Sequence, residues 1–303
     1  SNISWGSLAP KLYMEGVPLI DDINETTASI TLNYQVSAED DEGKTEIYDV
    51  TEFYRMRYTE TRIMLLDFKR SATKVFDPSQ TVVSDAGLLL GVRDKNVTYS
   101  ANSDGTIVVF EQDGDLWSYA PAGGKITRIF SFRKEENNDS RYVRNEHDIK
   151  IIRVADNGDV DFVLYGYMNR GIHEGATGVS LYSYNYVSNE TEELLFIPVN
   201  MSYEALCETV GDVAYVSDDR SFYIVLNVTM YSISLDSREV MTAVDKMSKG
   251  TYKVSGNGRI IAYSTNGELY NTDSIRVFNM ERANDYTIDA PAGDKLMVLG
   301  YVN

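Results

Sequence analysis

The chain has 303 residues, a formal net charge of -18 and a sequence pI of about 4.5. This length suits two ordinary domains, or one all-β barrel, sandwich or propeller. A surface this acidic repels phosphate and anionic lipid heads, so we expect neither nucleic acid nor a membrane surface as a partner.

The sequence contains one cysteine, Cys207, which excludes an intrachain disulfide. It contains no apolar run of roughly 18 residues, so it predicts no membrane insertion by this segment. Ser1 and Asn2 resemble the remnant of a cleaved tag, and the chain ends on the apolar run 296–302. Both ends predict a piece excised from a larger protein. Residues 1–27 are predicted to be an N-terminal extension or a closing strand.

Helical periodicity is nearly absent, and the best helical candidate is the short stretch 202–208. Elsewhere, short apolar or alternating runs are broken by Asp, Asn, Gly and Ser, which is typical of strands and turns. Pairs such as Asp113-Gly114 and Asn157-Gly158 supply the positive φ that tight hairpins require. The pattern therefore predicts an all-β fold.

A short hairpin pattern recurs five times, beginning at Leu65, Leu116, Leu181, Met230 and Ile275. The copies are 51, 65, 49 and 45 residues apart. A period of about 40 to 50 residues with four strands per unit is the range of propeller blades. The predicted units lie near 28–80, 85–132, 148–198, 210–245 and 251–303.

Each unit is predicted to contain four strands in chain order, A to D. In the first and least regular unit they are 28–36, 45–58, 62–68 and 74–76. In the second unit they are 97–100, 107–110, 115–120 and 125–132. In the third unit they are 149–154, 160–165, 180–185 and 193–197. In the fourth unit they are 213–216, 221–226, 229–233 and 239–244. In the fifth unit they are 252–254, 259–264, 274–279 and 285–288.

The A–B turns 102–105, 155–158, 217–220 and 255–258 share a form, a small residue followed by Asp or Asn and, in three of the four, Gly. In this feature the chain resembles β-propeller repeats of the WD40-like and TolB-like kind over residues 28–302. The Gly-His and Trp-Asp dipeptides of WD40 repeats and the sialidase Asp-box are missing. The resemblance implies a radial array of about five four-stranded blades, whole or cut from a larger propeller. It implies no activity, because propellers host hydrolases, lyases and binding platforms alike.

Two long loops of the third unit are expected to share one face, because D–A connections and B–C loops emerge on the same side of an antiparallel blade. They are 133–147 and 166–178, and they carry both histidines of the chain. Long polar loops on a rigid scaffold are where function concentrates. The predicted ligand-binding residues are Arg141, Arg144, Glu146, His147, Asp148, Tyr167, Arg170, His173 and Glu174. The alternative is two ordinary surface loops with exposed histidines.

The sequence predicts no metal, no cofactor and no catalytic residue. A zinc site would need the two histidines and their neighbouring glutamates to meet. The acidic turns 39–43 and 156–161 have carboxylate spacing like a calcium loop but lack the order of an EF-hand. There is no Gly-x-Ser-x-Gly motif for a nucleophile.

These features favour a non-enzymatic binding or scaffolding domain that contacts a protein or a glycan. The resemblance and the acidic, tyrosine-rich composition favour an extracytoplasmic location, in the envelope of a bacterial cell or secreted. The enzymatic alternative is a glycoside hydrolase, which needs a pair of carboxyl groups at a fixed separation. Glu146, Asp148 and Glu174 are the candidates for that pair.

Overall fold

A computed structural model describes the chain at residues 4–6, 9–79, 83–84, 87–89, 97–133, 141, 144, 146–245, 247, 252–264 and 270–300. Over these residues 25 strands accompany one α-helix, α1 (Tyr203–Thr209). The all-β class predicted from the sequence is therefore confirmed. No helix in the described part of the chain is long and apolar enough to cross a membrane.

The first sheet is larger than the others and has five strands. They are β1 (Lys11–Met14), β2 (Pro18–Ile23), β3 (Thr27–Glu39), β4 (Thr45–Thr59) and β5 (Arg62–Lys74). The order is β1-β3-β4-β5, and β2 also pairs with β3. All pairings in this sheet are antiparallel, and its longest strand, β4, has 15 residues. Residues 11–14 and 18–23 thus share a sheet with the first predicted unit.

The predicted fourth strand of the first unit, 74–76, is wrong. Strand β5 itself continues to Lys74, because Ser71 and Thr73 keep their pairing with Thr51 and Asp49 of β4. Phe76 then leaves the sheet and packs against the second one.

The next four sheets each contain four antiparallel strands. In the second sheet they are β8 (Tyr99–Ala101), β9 (Val108–Gln112), β10 (Asp115–Ala120) and β11 (Lys125–Phe130). In the third they are β12 (His147–Val154), β13 (Val160–Tyr167), β14 (Thr177–Asn185) and β15 (Glu190–Pro198). In the fourth they are β16 (Ala214–Val216), β17 (Ser221–Leu226), β18 (Thr229–Ser234) and β19 (Val240–Val244).

The fifth sheet contains β20 (Tyr252–Val254), β21 (Ile260–Tyr263), β23 (Ser274–Asn279) and β24 (Asn284–Asp289). Two small pairs complete the fold: β6 (Val83–Ser84) with β7 (Gly87–Leu88), and β22 (Tyr270–Thr272) with β25 (Leu296–Met297). In all four of the four-stranded sheets the spatial order follows the chain order. Their strand ends lie within three residues of the predicted ones, which confirms the strand assignment of these units.

From the second sheet to the fifth, consecutive sheets pack face to face through apolar side chains. Phe162 of the third sheet is fully buried against the second, with its ring 5.7 Å from that of Phe130. A second cluster joins the third sheet to the fourth, and a third joins the fourth to the fifth. Four-stranded sheets of the same order stacked in series are propeller-like, as the resemblance implied. Closure of a ring stays a prediction.

The A–B turns have the form that the sequence predicted. In each of the four, the amide of the last residue donates to the carbonyl of the first. Three of these turns are also tied to neighbouring units: Ser103 Oγ donates to Asp156 Oδ1 of the next turn at 2.6 Å, and the Asp218 amide donates to Glu281 Oε1 at 2.9 Å. The turns therefore fix each hairpin and help to fix the spacing between sheets.

The first strands of neighbouring sheets lie side by side, β8 with β12 and β12 with β16. Lys150 Nζ on β12 donates to the carbonyl oxygens of Gly211 (2.6 Å) and Asp212 (2.8 Å), just before β16. Burial lowers the pKa of Lys150 to about 8. The predicted helix at 202–208 is confirmed as α1, where Ser202 caps the N-terminus by accepting from the Ala205 amide.

We expect Phe162→Ala to lower the free energy of unfolding by about 3–5 kcal/mol, because it opens a cavity between two packed sheets. Urea denaturation followed by circular dichroism would measure the change. Tyr99→Ala is the control, since that ring is exposed, and we expect a change within about 0.5 kcal/mol. A loss below about 1 kcal/mol for Phe162→Ala would contradict the packing described here.

Candidate functional site

The two predicted loops do meet. Arg141 Nη1 lies 2.5 Å from Glu174 Oε1, although both side chains are exposed. Part of the first loop, residues 134–140, 142, 143 and 145, lies outside the described residues. An exposed ion pair contributes little to stability. The contact is informative mainly because it shows that the two loops share one face.

Arg144 organises the centre of this loop face. Its Nε donates to Glu146 Oε2 at 2.9 Å, and its guanidinium carbon lies 3.5 Å from the centre of the Tyr167 ring. The Arg144 carbonyl accepts from Asn169 Nδ2 at 2.8 Å. A cation over an aromatic face is favourable, more so where water is partly excluded. Four residues from the two loops are therefore held in one arrangement.

His147 is not the exposed histidine that the alternative interpretation expected. It begins β12, pairs with Gly166 and places its ring edge-on to Phe132, with 5.0 Å between ring centres. A Cβ on Gly114 would lie 2.9 Å from His147 Nε2, so the ring fits only against a glycine. Burial and the nearby charge of Arg133 lower the pKa of His147 to about 4. The imidazole is therefore neutral at physiological pH.

His173 points to a different partner from His147. Its ring stacks on Phe196 with 3.6 Å between ring centres, and its Nε2 lies 2.8 Å from Glu193 Oε1. Glu193 also accepts hydrogen bonds from the hydroxyls of Ser180 and Tyr182. Burial alone would raise the pKa of Glu193, but these three hydrogen bonds lower it below its usual value. Sequence reasoning missed Glu193, which lies on β15 and not in a loop.

Asp148 and Arg170 are the two remaining predicted residues. Asp148 accepts a hydrogen bond from the Tyr165 hydroxyl at 3.1 Å and from the Ile149 amide at 2.7 Å. Arg170 is half-buried in the second loop. The predicted set thus separates into the Arg141–Glu174 pair, the cluster around Arg144, and the two histidines with their own partners.

A cleft of about 250 Å³ lies between the first sheet and the loop end of the second. Of the predicted residues it includes Arg144 and His147. Its other lining residues are Asn33, Tyr34, Asp49, Val50, Thr51, Ser71, Thr73, Glu111, Asp113, Gly114 and Arg133. On its first wall Asn33, Thr51 and Ser71 stand side by side on β3, β4 and β5.

Arg133 is the central charge of this cleft. Its Nη2 donates to Asp49 Oδ2 on the first sheet at 2.8 Å and to the Asp113 carbonyl at 2.9 Å. Asp115, nearby, accepts from Ser131 Oγ at 2.6 Å. One guanidinium therefore joins the two walls of the cleft and offsets carboxylates from both.

The carboxyl groups of the second wall are protonated more readily than usual. Burial, with the charges of Asp148, Asp113 and Asp115, raises the pKa of Glu111 to about 7, although the Gly114 amide donates to Glu111 Oε1 at 2.7 Å. Burial also raises the pKa of Asp113. Perturbed groups in a concave site are candidates for function.

Sequence reasoning identified Asp113-Gly114 as a hairpin turn, and both residues do have positive φ (55° and 75°). It missed the chemistry beside the turn. Three carboxylates within five residues, Glu111 to Asp115, were a usable signal. Asp49 was not predictable as a partner, because it lies 84 residues from Arg133 in the chain.

Among the described residues no group of three or more His, Cys, Asp or Glu side chains is placed to hold a metal ion. In the acidic turn 156–161, Asp156 accepts from Ser103, while Asp159 accepts from Asn157 and from the Tyr186 amide. These carboxylates therefore already serve the turn and its neighbours.

Solved structures offer distant likenesses. TolB from Acinetobacter baumannii gives a TM-score of 0.37 at 11% identity over 87% of this chain and 61% of that chain. The tricorn protease gives 0.36 at 14% identity, over 88% and 25%. The extracellular domain of the putative one component system BT4673 from B. thetaiotaomicron gives 0.35 at 12% identity, over 96% and 36%.

The chain spans 61% or less of the length of each of these three structures. No protein-family model matches the chain, and no curated protein matches its sequence.

We expect Glu111→Gln to stabilise the protein at alkaline pH. The pKa of Glu111 is about 7 in the folded chain against an ordinary value of 4.5, so between these limits the folded state holds a proton that the unfolded state releases. Stability therefore falls as pH rises through this window. Glutamine cannot ionise, so the variant should be more stable than the wild type by about 1–3 kcal/mol at pH 8.

At pH 4.5 the same variant should match the wild type, because Glu111 is then protonated in the folded protein. Thermal unfolding at both pH values would measure the difference. Glu60→Gln, in the exposed turn between β4 and β5, is the control. A gain that is equal at pH 4.5 and pH 8 would show that the folded carboxyl is not perturbed.

Proposed function

We propose that this chain is a binding domain that takes a polar, glycan-like ligand in the cleft between its first and second sheets. The observation that carries the proposal is the chemistry of the lining. Small hydroxyl and amide side chains form one wall, and the main cation, Arg133, is already neutralised by Asp49. A neutral molecule rich in hydroxyl groups suits such a surface, since each of its groups can find a donor or an acceptor.

The predicted loop face would form the rim of this site. Arg144 lines the cleft and carries the contacts to Glu146 and Tyr167. The ligand would thus meet a preorganised rim, which reduces the entropy lost on binding. A peptide is the other ligand that the sequence suggested, and it is an outcome of the same experiment.

A glycoside hydrolase remains the enzymatic alternative. The three carboxylates that the sequence offered for it have separate partners: Glu146 contacts Arg144, Glu174 contacts Arg141 and Asp148 accepts from a tyrosine. Glu111 would be the better general acid, because its pKa of about 7 keeps a proton available near neutral pH. Release of reducing sugar, lost in Glu111→Gln, would favour this alternative.

The test is binding to printed glycan and peptide arrays, followed by calorimetry with any retained ligand. Ser71→Trp would fill the cleft from β5 and should weaken glycan binding more than about tenfold. Met64→Trp is the matched control. It lies on the same strand and the same face, since Met64 pairs with Arg57 while Ser71 pairs with Thr51 six residues along β4.

Equal affinity of both tryptophan variants for the glycan would show that the glycan binds outside this cleft. Retention of peptides and no glycan would replace the proposed ligand class by a protein ligand. The extracytoplasmic location is part of the same proposal, and fractionation of cells that express the parent gene would test it.

A second candidate ligand is favoured by a groove of about 560 Å³ between the third and fourth sheets. Its lining is mainly apolar, and Arg238 is its one basic residue. The lining residues are Leu195, Phe196, Ile197, Pro198, Val199, Asn200, Met201, Leu226, Asn227, Tyr231, Ile233, Arg238 and Val240. Apolar walls with a single cation suit a small amphiphile with a carboxylate head.

A fluorescent long-chain fatty acid would probe this groove. Val240→Asp should weaken its binding about tenfold or more, because it places a charge against the acyl chain. Met241→Asp is the matched control: it is the next residue on β19, equally exposed at 58%, and it does not line the groove. Absence of saturable binding by the wild type, or equal loss in both variants, would remove this candidate.

A further inference from the structure

Strand β5 is an edge strand that carries exposed apolar side chains. It is the last strand of the first sheet, and no described residue pairs with its free side. Near the tip of the hairpin, Ile63 is 69% exposed and Leu65 is 43% exposed. An exposed apolar edge of this kind is a template for adding another strand.

The two faces of this edge differ in chemistry. Ile63 and Leu65 lie on the face of their β4 partners Tyr58 and Met56, which is apolar. Arg62, Arg55 and Arg57 lie on the other face with one acid, Asp67, and make it basic, although the chain as a whole is strongly acidic. A strand that fits this edge must be apolar on one face and acidic on the other.

Strand β24 of the fifth sheet has that pattern. It is also the outermost strand of its sheet, no described residue pairs with its outer edge, and all six of its residues are exposed. Tyr286 and Ile288 share one face, opposite the apolar Val277 and Ile275 of β23. Asp285 and Asp289 lie on the opposite face.

We propose that β5 of one copy pairs antiparallel with β24 of a second copy. The complementary register places Arg62 opposite Asp289 and Ile63 opposite Ile288. Met64 then faces Thr287, and Leu65 faces Tyr286. Ile63 and Leu65 then meet apolar residues on one face, and the ion pair falls on the other, beside Met64 and Thr287.

The register ends where β5 becomes irregular. Leu65 pairs with Met56 and Asp67 with Arg55, so Leu66 is the extra residue of a bulge. Arg62 and Asp289 have no ionic side-chain partner elsewhere in the described chain, so both charges are available to a second copy. Because the two strands are different surfaces of the chain, the contact is head to tail and generates a ring or an open filament. This inference does not depend on the cleft or its ligand.

Charge reversal tests the proposal without touching the core. Sedimentation velocity of the wild type should show concentration-dependent association. Arg62→Glu and Asp289→Lys should each weaken that association about tenfold, and the double variant Arg62→Glu/Asp289→Lys should return to within about threefold of the wild type. A wild type that stays monomeric at all concentrations, or a double variant as weak as the singles, would overturn it.

Disulfide trapping tests the register. In a Cys207→Ser background, Ile63→Cys protein is mixed with Ile288→Cys protein and oxidised, and Met64→Cys is mixed with Thr287→Cys in the same way. At least one in-register mixture should give a cross-linked pair, because the two sites alternate in hydrogen-bonding type. Ile63→Cys with Tyr286→Cys is the control, two residues out of register. Cross-linking of Ile63→Cys with itself, or equal yield in the control, would falsify this pairing.

Discussion

The structure depends on apolar packing between sheets that are each too small to bury their own faces. A four-stranded sheet with strands of three to nine residues cannot fold alone in water, and its inward and outward faces both need a neighbour. The side chains that meet this need are Val, Ile, Phe and Tyr on alternate positions of the middle strands, and in the third sheet Val163 and Leu164 are both fully buried, one on each face. The sheets therefore form a series in which each supports the next.

Four of the five units could be predicted closely from the sequence, because this packing places apolar residues at alternate positions of their strands. Short strands with alternating residues end at Asp-Gly or Asn-Gly turns, whose positive φ leaves little choice of register. Gly158, at φ 93°, is one such position, and a Cβ there would also clash with Tyr186. The strands of the first sheet are not separated by such Asp-Gly or Asn-Gly turns. Its three longest strands run for 13 to 15 residues with threonine, serine and arginine among the apolar residues. The C-terminal ends of β3 and β5 were therefore not visible, although β4 was predicted to within one residue.

The candidate site was predictable only in part, for a related reason. That the two loops of the third unit share a face follows from strand order, and the contact of Arg141 with Glu174 agrees with it. The environment of His147 did not follow, because it depends on the glycine turn of the neighbouring sheet. The cleft depends on Asp49, which reaches Arg133 only once the first sheet is docked. Local sequence patterns give the least information about the contacts between units.

Arg133 connects the two walls of the cleft and so makes them one site. A mostly buried guanidinium would be costly alone, and so would the carboxyl groups of Asp113 and Asp115, yet together they offset one another. The same group fixes the first sheet against the second, since its partner Asp49 belongs to β4. Strand β5 then supplies the outer wall of the cleft through Ser71 and Thr73 and continues without a break to the tip of the hairpin. The geometry of the polar cleft and the presentation of the apolar edge are thus two consequences of one docked strand pair.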